Sequence, residues 1–149
     1  MTGLPAAEER RLAIDLYNGL WPLLERPSRT ADEDAALVHQ AHASLYHWSQ
    51  VGERVNRARG EWMCSRVYAV LGRAEPALWH ARRAVELAEP AGDWDLAIAY
   101  EAVARARAVA GDAAGARDWI ARARAVPVAD DDDRAVVEKD LRAVEELLR

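Results

Sequence analysis

The segments ARGEWMCSRVYAVLGRAEPALWHARRA, residues 58–84, and AIAYEAVARARAVAGDAAGARDWIARA, residues 97–123, fall into register when the chain is shifted by 39 positions. The shift pairs Arg66 with Arg105, Ala69 with Ala108, Val70 with Val109, Gly72 with Gly111, Ala77 with Ala116 and Ala84 with Ala123. Each segment carries apolar residues at helical spacing on both sides of one glycine, the pattern of two helices joined by a tight turn. Ala77/Ala84 and Ala116/Ala123 are seven apart, so each pair lies on one helix face, where small residues let two backbones approach closely. Runs of β-branched residues with two-residue alternation are missing, so the chain reads as all-α.

Working outward, the punctuation predicts about seven helices. The first covers about 6–25, with Leu12, Leu16, Leu20 and Leu24 four apart. Pro22 should kink or end it, because proline supplies no backbone donor. Thr30 and Glu33 have capping-box spacing and open a second helix, which runs to about Val51; Gly52 is expected to take a left-handed stop. A third helix runs from about Asn56 to Gly72. A fourth has Pro76 in its first turn, where the missing donor costs nothing. Pro90 and Gly92 break the chain, and Asp93 is expected to cap the fifth helix. Asp112 caps the sixth, which Pro127 closes. The acidic run Asp130–Asp133 places negative charge at the positive end of a seventh helix reaching Leu148.

With 149 residues, 51% of them apolar and 30% charged, the chain favours one folded domain. No long uncharged apolar run is present, which excludes a helical membrane span, and the start MTGLPAAEERR does not resemble a secretory signal. Cys64 is the single cysteine, which fits a reducing compartment, and the expected location is cytoplasmic. A net charge of −5 argues against a general nucleic-acid surface.

Taken together, Ser65, Tyr68, Gly72, Ala77, Ala84 and Pro90, and again Ala104, Gly111, Ala116, Ala123 and Pro127, resemble the tetratricopeptide repeat. Arg107 stands where the second copy's aromatic would be. The 39-residue offset is also longer than that family's usual unit of about 34 residues. The resemblance covers roughly residues 56–127. It implies a right-handed superhelix of antiparallel hairpins in a single domain: an N-terminal hairpin over 1–52, repeat-like hairpins over 56–90 and 93–127, and a capping helix over 131–148. It further implies that the first helix of each hairpin lines a groove, placing Arg59, Trp62, Arg66, Glu101 and Arg105 there, with Tyr17 or Trp21 beside them. Arginines flanking an indole suit a carboxylate, so the expected partner is a protein or an acidic peptide, with a homodimer through the solenoid edge as another outcome.

Three of the four histidines fall in HQAHASLYHW, residues 39–48. At about 100° per residue, His39 and His42 lie about 60° apart and His47 about 140° from His42, so one ion cannot take all three from a straight helix. Neither Cys64 nor His80 stands at a recognisable ligand spacing from them, and no metal or cofactor is expected. Cys64, inside WMCSRVY, reads as an inert buried thiol. No nucleophile elbow or paired-carboxylate arrangement is present. A second reading gathers His39, His42, Tyr46, Tyr68 and His80, with Trp62 and Arg66, around an interhelical pocket for a small molecule or a metal-dependent reaction.

Overall fold

The computed structural model describes residues 2–149, and every regular element in them is helical. The order is α1 (Ala6–Asn18), α2 (Trp21–Leu24), α3 (Ala31–Val51), α4 (Arg54–Val70), α5 (Ala74–Ala88), α6 (Asp93–Val109), α7 (Ala113–Ala125) and α8 (Asp131–Leu147). Seven of these are full helices and α2 is a single turn of 4 residues. The expected first helix over 6–25 is thus split: α1 ends at Asn18, and the chain restarts with Pro22 in the first turn of α2.

Helices pair in chain order, α1 with α3, α4 with α5 and α6 with α7, and α4, α6 and α8 also touch one another in sequence. The two repeated segments adopt the same turn. Gly72 (φ 73°) and Gly111 (φ 81°) are both left-handed. Arg73 N–H donates to Tyr68 O at 2.8 Å, and Asp112 N–H donates to Arg107 O at 2.9 Å, the same six-residue closure 39 positions apart. The small residues behave as their spacing requires: Ala77 and Ala116 are fully buried, and Ala84 and Ala123 nearly so. Ser65 Oγ donates to Ala77 O at 2.8 Å, which ties the two helices of the first hairpin together.

Caps agree with the sequence at three helices. Glu33 N–H donates to Thr30 Oγ1 and Thr30 N–H to Glu33 Oε1, completing the capping box of α3. Gly115 N–H donates to Asp112, and Asp133 N–H donates to Asp130. Two expectations are corrected. Gly52 is extended (φ −81°, ψ 159°), and glycine is needed there for closeness: a Cβ would lie 2.7 Å from Trp48 O. Asp93 is not the N-cap of α6, a position that Gly92 takes, and its side chain does not bond the amides two or three residues on. It is itself left-handed (φ 51°), and its carboxylate accepts from Trp94 N–H and, at 3.4 Å, from Ala129 N–H in the loop before α8. Helix α4 also starts at Arg54, earlier than Asn56, because the Asn56 side chain accepts Glu53 N–H and serves as a cap residue inside the first turn.

One continuous core runs from Leu20 and Leu37 through Met63, Val67 and Val103 to Leu141 and Val144. Alanine dominates at the helix contacts, so the helices sit close and the larger side chains fill the junctions between hairpins. Among the described residues no helix is long and apolar enough to cross a membrane.

Candidate functional site

Two clusters of polar side chains are built into this frame. The first lies where α4, α6 and α8 meet. Trp62 on α4 and Glu101 on α6 occupy equivalent repeat positions, and they touch: Trp62 Nε1–H donates to Glu101 Oε2 at 3.2 Å. Glu101 is 0% exposed, a burial that a carboxylate tolerates only when its oxygens are satisfied. Arg105, one turn along α6, supplies the rest, donating to Glu101 Oε1 at 2.8 Å. The Arg66 guanidinium lies over the Trp62 ring at 5.1 Å and pairs with Asp140 of α8 at 3.3 Å. Arg105 also reaches the backbone oxygen of Asp140 at 3.4 Å. Burial pushes the Asp140 carboxyl up, and the nearby Glu101 adds to this, while Arg66 and Arg105 pull it down.

All five groove residues of the sequence reading are therefore found on α4 and α6, and they engage other parts of the chain. Trp62, Arg66, Glu101 and Arg105 form one network with α8. Arg59 stands further along, held by both oxygens of Asp95 at 2.8 and 3.2 Å and lying over Trp94. Its guanidinium is held above its usual range, chiefly by those hydrogen bonds. Tyr17 and Trp21 do join this side. Trp21 meets Trp62 with ring centroids 6.0 Å apart, and burial pushes the Tyr17 hydroxyl up to about 12. Between α2, α4 and α8 a cleft of about 350 Å³ remains open, lined by Trp21, Arg66, Val70, Val136, Lys139 and Asp140.

The second cluster lies at the junction of α3, α4 and α5. His42 Nε2 and the Tyr68 hydroxyl are 2.9 Å apart, and the Tyr68 ring stacks on His80 at 5.6 Å. His80 Nδ1 bonds Glu61 Oε2 at 2.6 Å, and the rings of His42 and His80 are 5.2 Å apart. Cys64 completes the group: one ligand-capable atom from each of His42, Cys64 and His80 lies within 4.8 Å of the others. Burial, and then His80, pull the His42 imidazole down and favour its neutral form. Burial likewise pushes the Cys64 thiol up. Gly60 faces α3 beside this cluster: a Cβ there would meet the end of the Leu45 side chain at 2.7 Å and the Leu45 Cα at 3.5 Å, on the helix turn next to His42.

Of the second sequence reading, His42, Tyr68 and His80 come together. His39 and Tyr46 are exposed on α3, and Trp62 and Arg66 belong to the other cluster. His47 turns toward α1 and meets Glu9 at 3.2 Å, as the angular argument required. The sequence reading did not name Glu61, while its reading of Cys64 as a buried thiol agrees with the full burial of that residue. A signal for Glu61 was present: Glu61, Cys64 and Tyr68 are three and four apart on α4 and share one face.

No protein-family model, no curated protein and no solved structure matches this chain.

Proposed function

We propose that the protein is a tetratricopeptide-like interaction module whose groove, on the inner face of α4 and α6, accepts an acidic amphipathic helix. One observation carries the reading: the chain's own α8 occupies that face in the manner of a ligand. It presents Val137, Leu141 and Val144 as a buried apolar stripe, and Asp140 to the arginine beside Trp62. An apolar seam with one charge at its edge is how helix-in-groove recognition works, the seam giving affinity and the charge fixing register.

The seating of α8 is uneven, which supports exchange. It packs mainly on α6 and only lightly on α7, and a cleft of about 680 Å³ opens beside it, lined by Val126, Val128, Val137 and Leu141 among others. A partner helix with the same stripe and an acidic residue at the position of Asp140 competes for this face. A second copy of the chain supplies such a helix by exchange of α8, which accommodates the homodimer.

The test uses the full-length Leu141→Ala chain, with α8 loosened, and a fluorescent peptide spanning residues 128–149. Anisotropy is expected to show binding to this variant and weaker binding to the wild type. Adding Arg66→Glu to the variant is expected to abolish capture while the helical circular dichroism persists. Equal capture with and without Arg66→Glu refutes the groove.

A further inference from the structure

The groove reading does not use the cluster at the junction of α3, α4 and α5, and that cluster has the chemistry of a different site. We propose that His42, Cys64 and His80 form a binding site for a zinc-class transition-metal ion. Three observations support it: the donor set, the spacing of the donors, and the side chains behind them.

Two imidazoles and one thiolate form a mixed nitrogen and sulfur set, which suits zinc and disfavours magnesium or calcium, whose ligands are oxygens. The spacing is close to what coordination needs. An ion central to three atoms lying within 4.8 Å of one another stands no more than about 2.8 Å from each. Bonds of about 2.0 Å to nitrogen and about 2.3 Å to sulfur then require inward shifts of roughly 0.5–0.8 Å, within reach of small side-chain rotations. The three donors come from three different helices, so the site exists only in the folded chain and ties the N-terminal hairpin to the first repeat-like hairpin.

The supporting shell is also present. Glu61 Oε2 holds His80 Nδ1 at 2.6 Å, which fixes the ring and leaves Nε2 as its unengaged donor, the carboxylate–histidine arrangement that orients metal ligands. Arg83 stands 3.8 Å from the other Glu61 oxygen and balances its charge. Tyr68 stacks on His80, and its hydroxyl lies 2.9 Å from His42 Nε2, so one side chain positions both rings. Binding displaces the Cys64 proton to solvent, and the resulting thiolate is matched by the charge of the ion. Three protein donors leave a fourth position for water or for a group from a ligand. The half-buried His42 provides the path of entry, since Cys64 and His80 are buried behind it.

The experiment is a titration of the full-length, untagged, chelator-treated protein with Co²⁺, followed by displacement with Zn²⁺. The expected result is one Co²⁺ per chain, with thiolate-to-cobalt charge-transfer absorption and the intense visible bands of a tetrahedral centre, all removed by Zn²⁺. Cys64→Ser is expected to lose the charge-transfer band, and His42→Asn to weaken binding of either ion; His39→Asn, on the exposed side of α3, leaves both intact. Glu61→Gln keeps every donor and is expected to weaken binding about ten- to hundredfold. Circular dichroism of each variant reports folding. His42→Asn, at the half-buried position, provides the decisive comparison if Cys64→Ser does not fold. Absence of a thiolate band in the folded wild type, or unchanged affinity in folded His42→Asn, overturns the proposal.

Discussion

Loosening α8 by one side chain is a direct probe of how this chain is held together. Leu141 is fully buried, between Val137 and Val144 on the stripe that faces α6. Replacement by alanine removes its contacts and leaves a void, which in enclosed cores costs about 2–5 kcal/mol. The cleft beside α8 gives neighbouring side chains room to relax into the void, which relieves part of the cavity cost. The expected loss is therefore in the lower half of that range, about 3 kcal/mol. If α8 opens as its own unit, this corresponds to a rise of about 150-fold in its opening equilibrium. Native-state hydrogen exchange reads this residue by residue. Amides of α8 should lose about two decades of protection while those of α3, α4 and α5 keep theirs. Equal loss across all helices would mean that α8 opens only with the whole domain, and exchange of the groove occupant would then have no basis.

Three further outcomes follow from the polar groups. Glu101→Ala strands the Arg105 guanidinium and the Trp62 indole N–H in a buried setting and should cost about 3–5 kcal/mol, whereas Glu101→Met with Arg105→Met should recover most of it; thermal melts of the single and double variants decide this. Arg124 holds the carboxyls of Glu138 and Glu145 below their usual range through hydrogen bonds. A depressed folded-state value gives stability that is present above the unfolded carboxylate range and lost as pH falls from there through the lower folded-state value. The urea midpoints of wild type and Arg124→Met should accordingly differ at pH 7 and converge on acidification; a gap that widens in acid refutes the assignment. Cys64 is fully buried and its thiol is pushed up, so the metal-free native protein should resist a thiol-directed reagent such as dithionitrobenzoate and react stoichiometrically once unfolded in urea. Rapid reaction in the folded state would place the sulfur elsewhere.

The local signals in this chain are strong, and they decided the helices. Thr30 with Glu33, Asp112, and the glycines at 72 and 111 act through their own backbone neighbours, so their effect is set within a few residues and was legible in advance. The 39-residue offset was legible for a related reason: equal turns and equally spaced alanines impose equal hairpins wherever they occur. Gly52 was misread because its role depends on what lies nearby, namely the Trp48 carbonyl and side chain, and a sequence pattern for a left-handed stop does not carry that information. Asp93 was misread similarly, since its carboxylate serves a loop 36 residues downstream.

Both clusters divide along the same line. Helix periodicity and the turn glycines placed Trp62, Arg66, Glu101 and Arg105 on α4 and α6, and the resemblance to the tetratricopeptide repeat implied that these residues line a groove. That α8 folds back over them, setting Asp140 beside Arg66, was fixed by the tertiary structure, through burial of Val137, Leu141 and Val144 against α6. Helix phase also separated His39, His42 and His47 onto different faces. The convergence of His42 with Cys64 and His80 depends on the close approach of three helices, and no spacing along the sequence encodes a meeting of residues 22 and 16 positions apart.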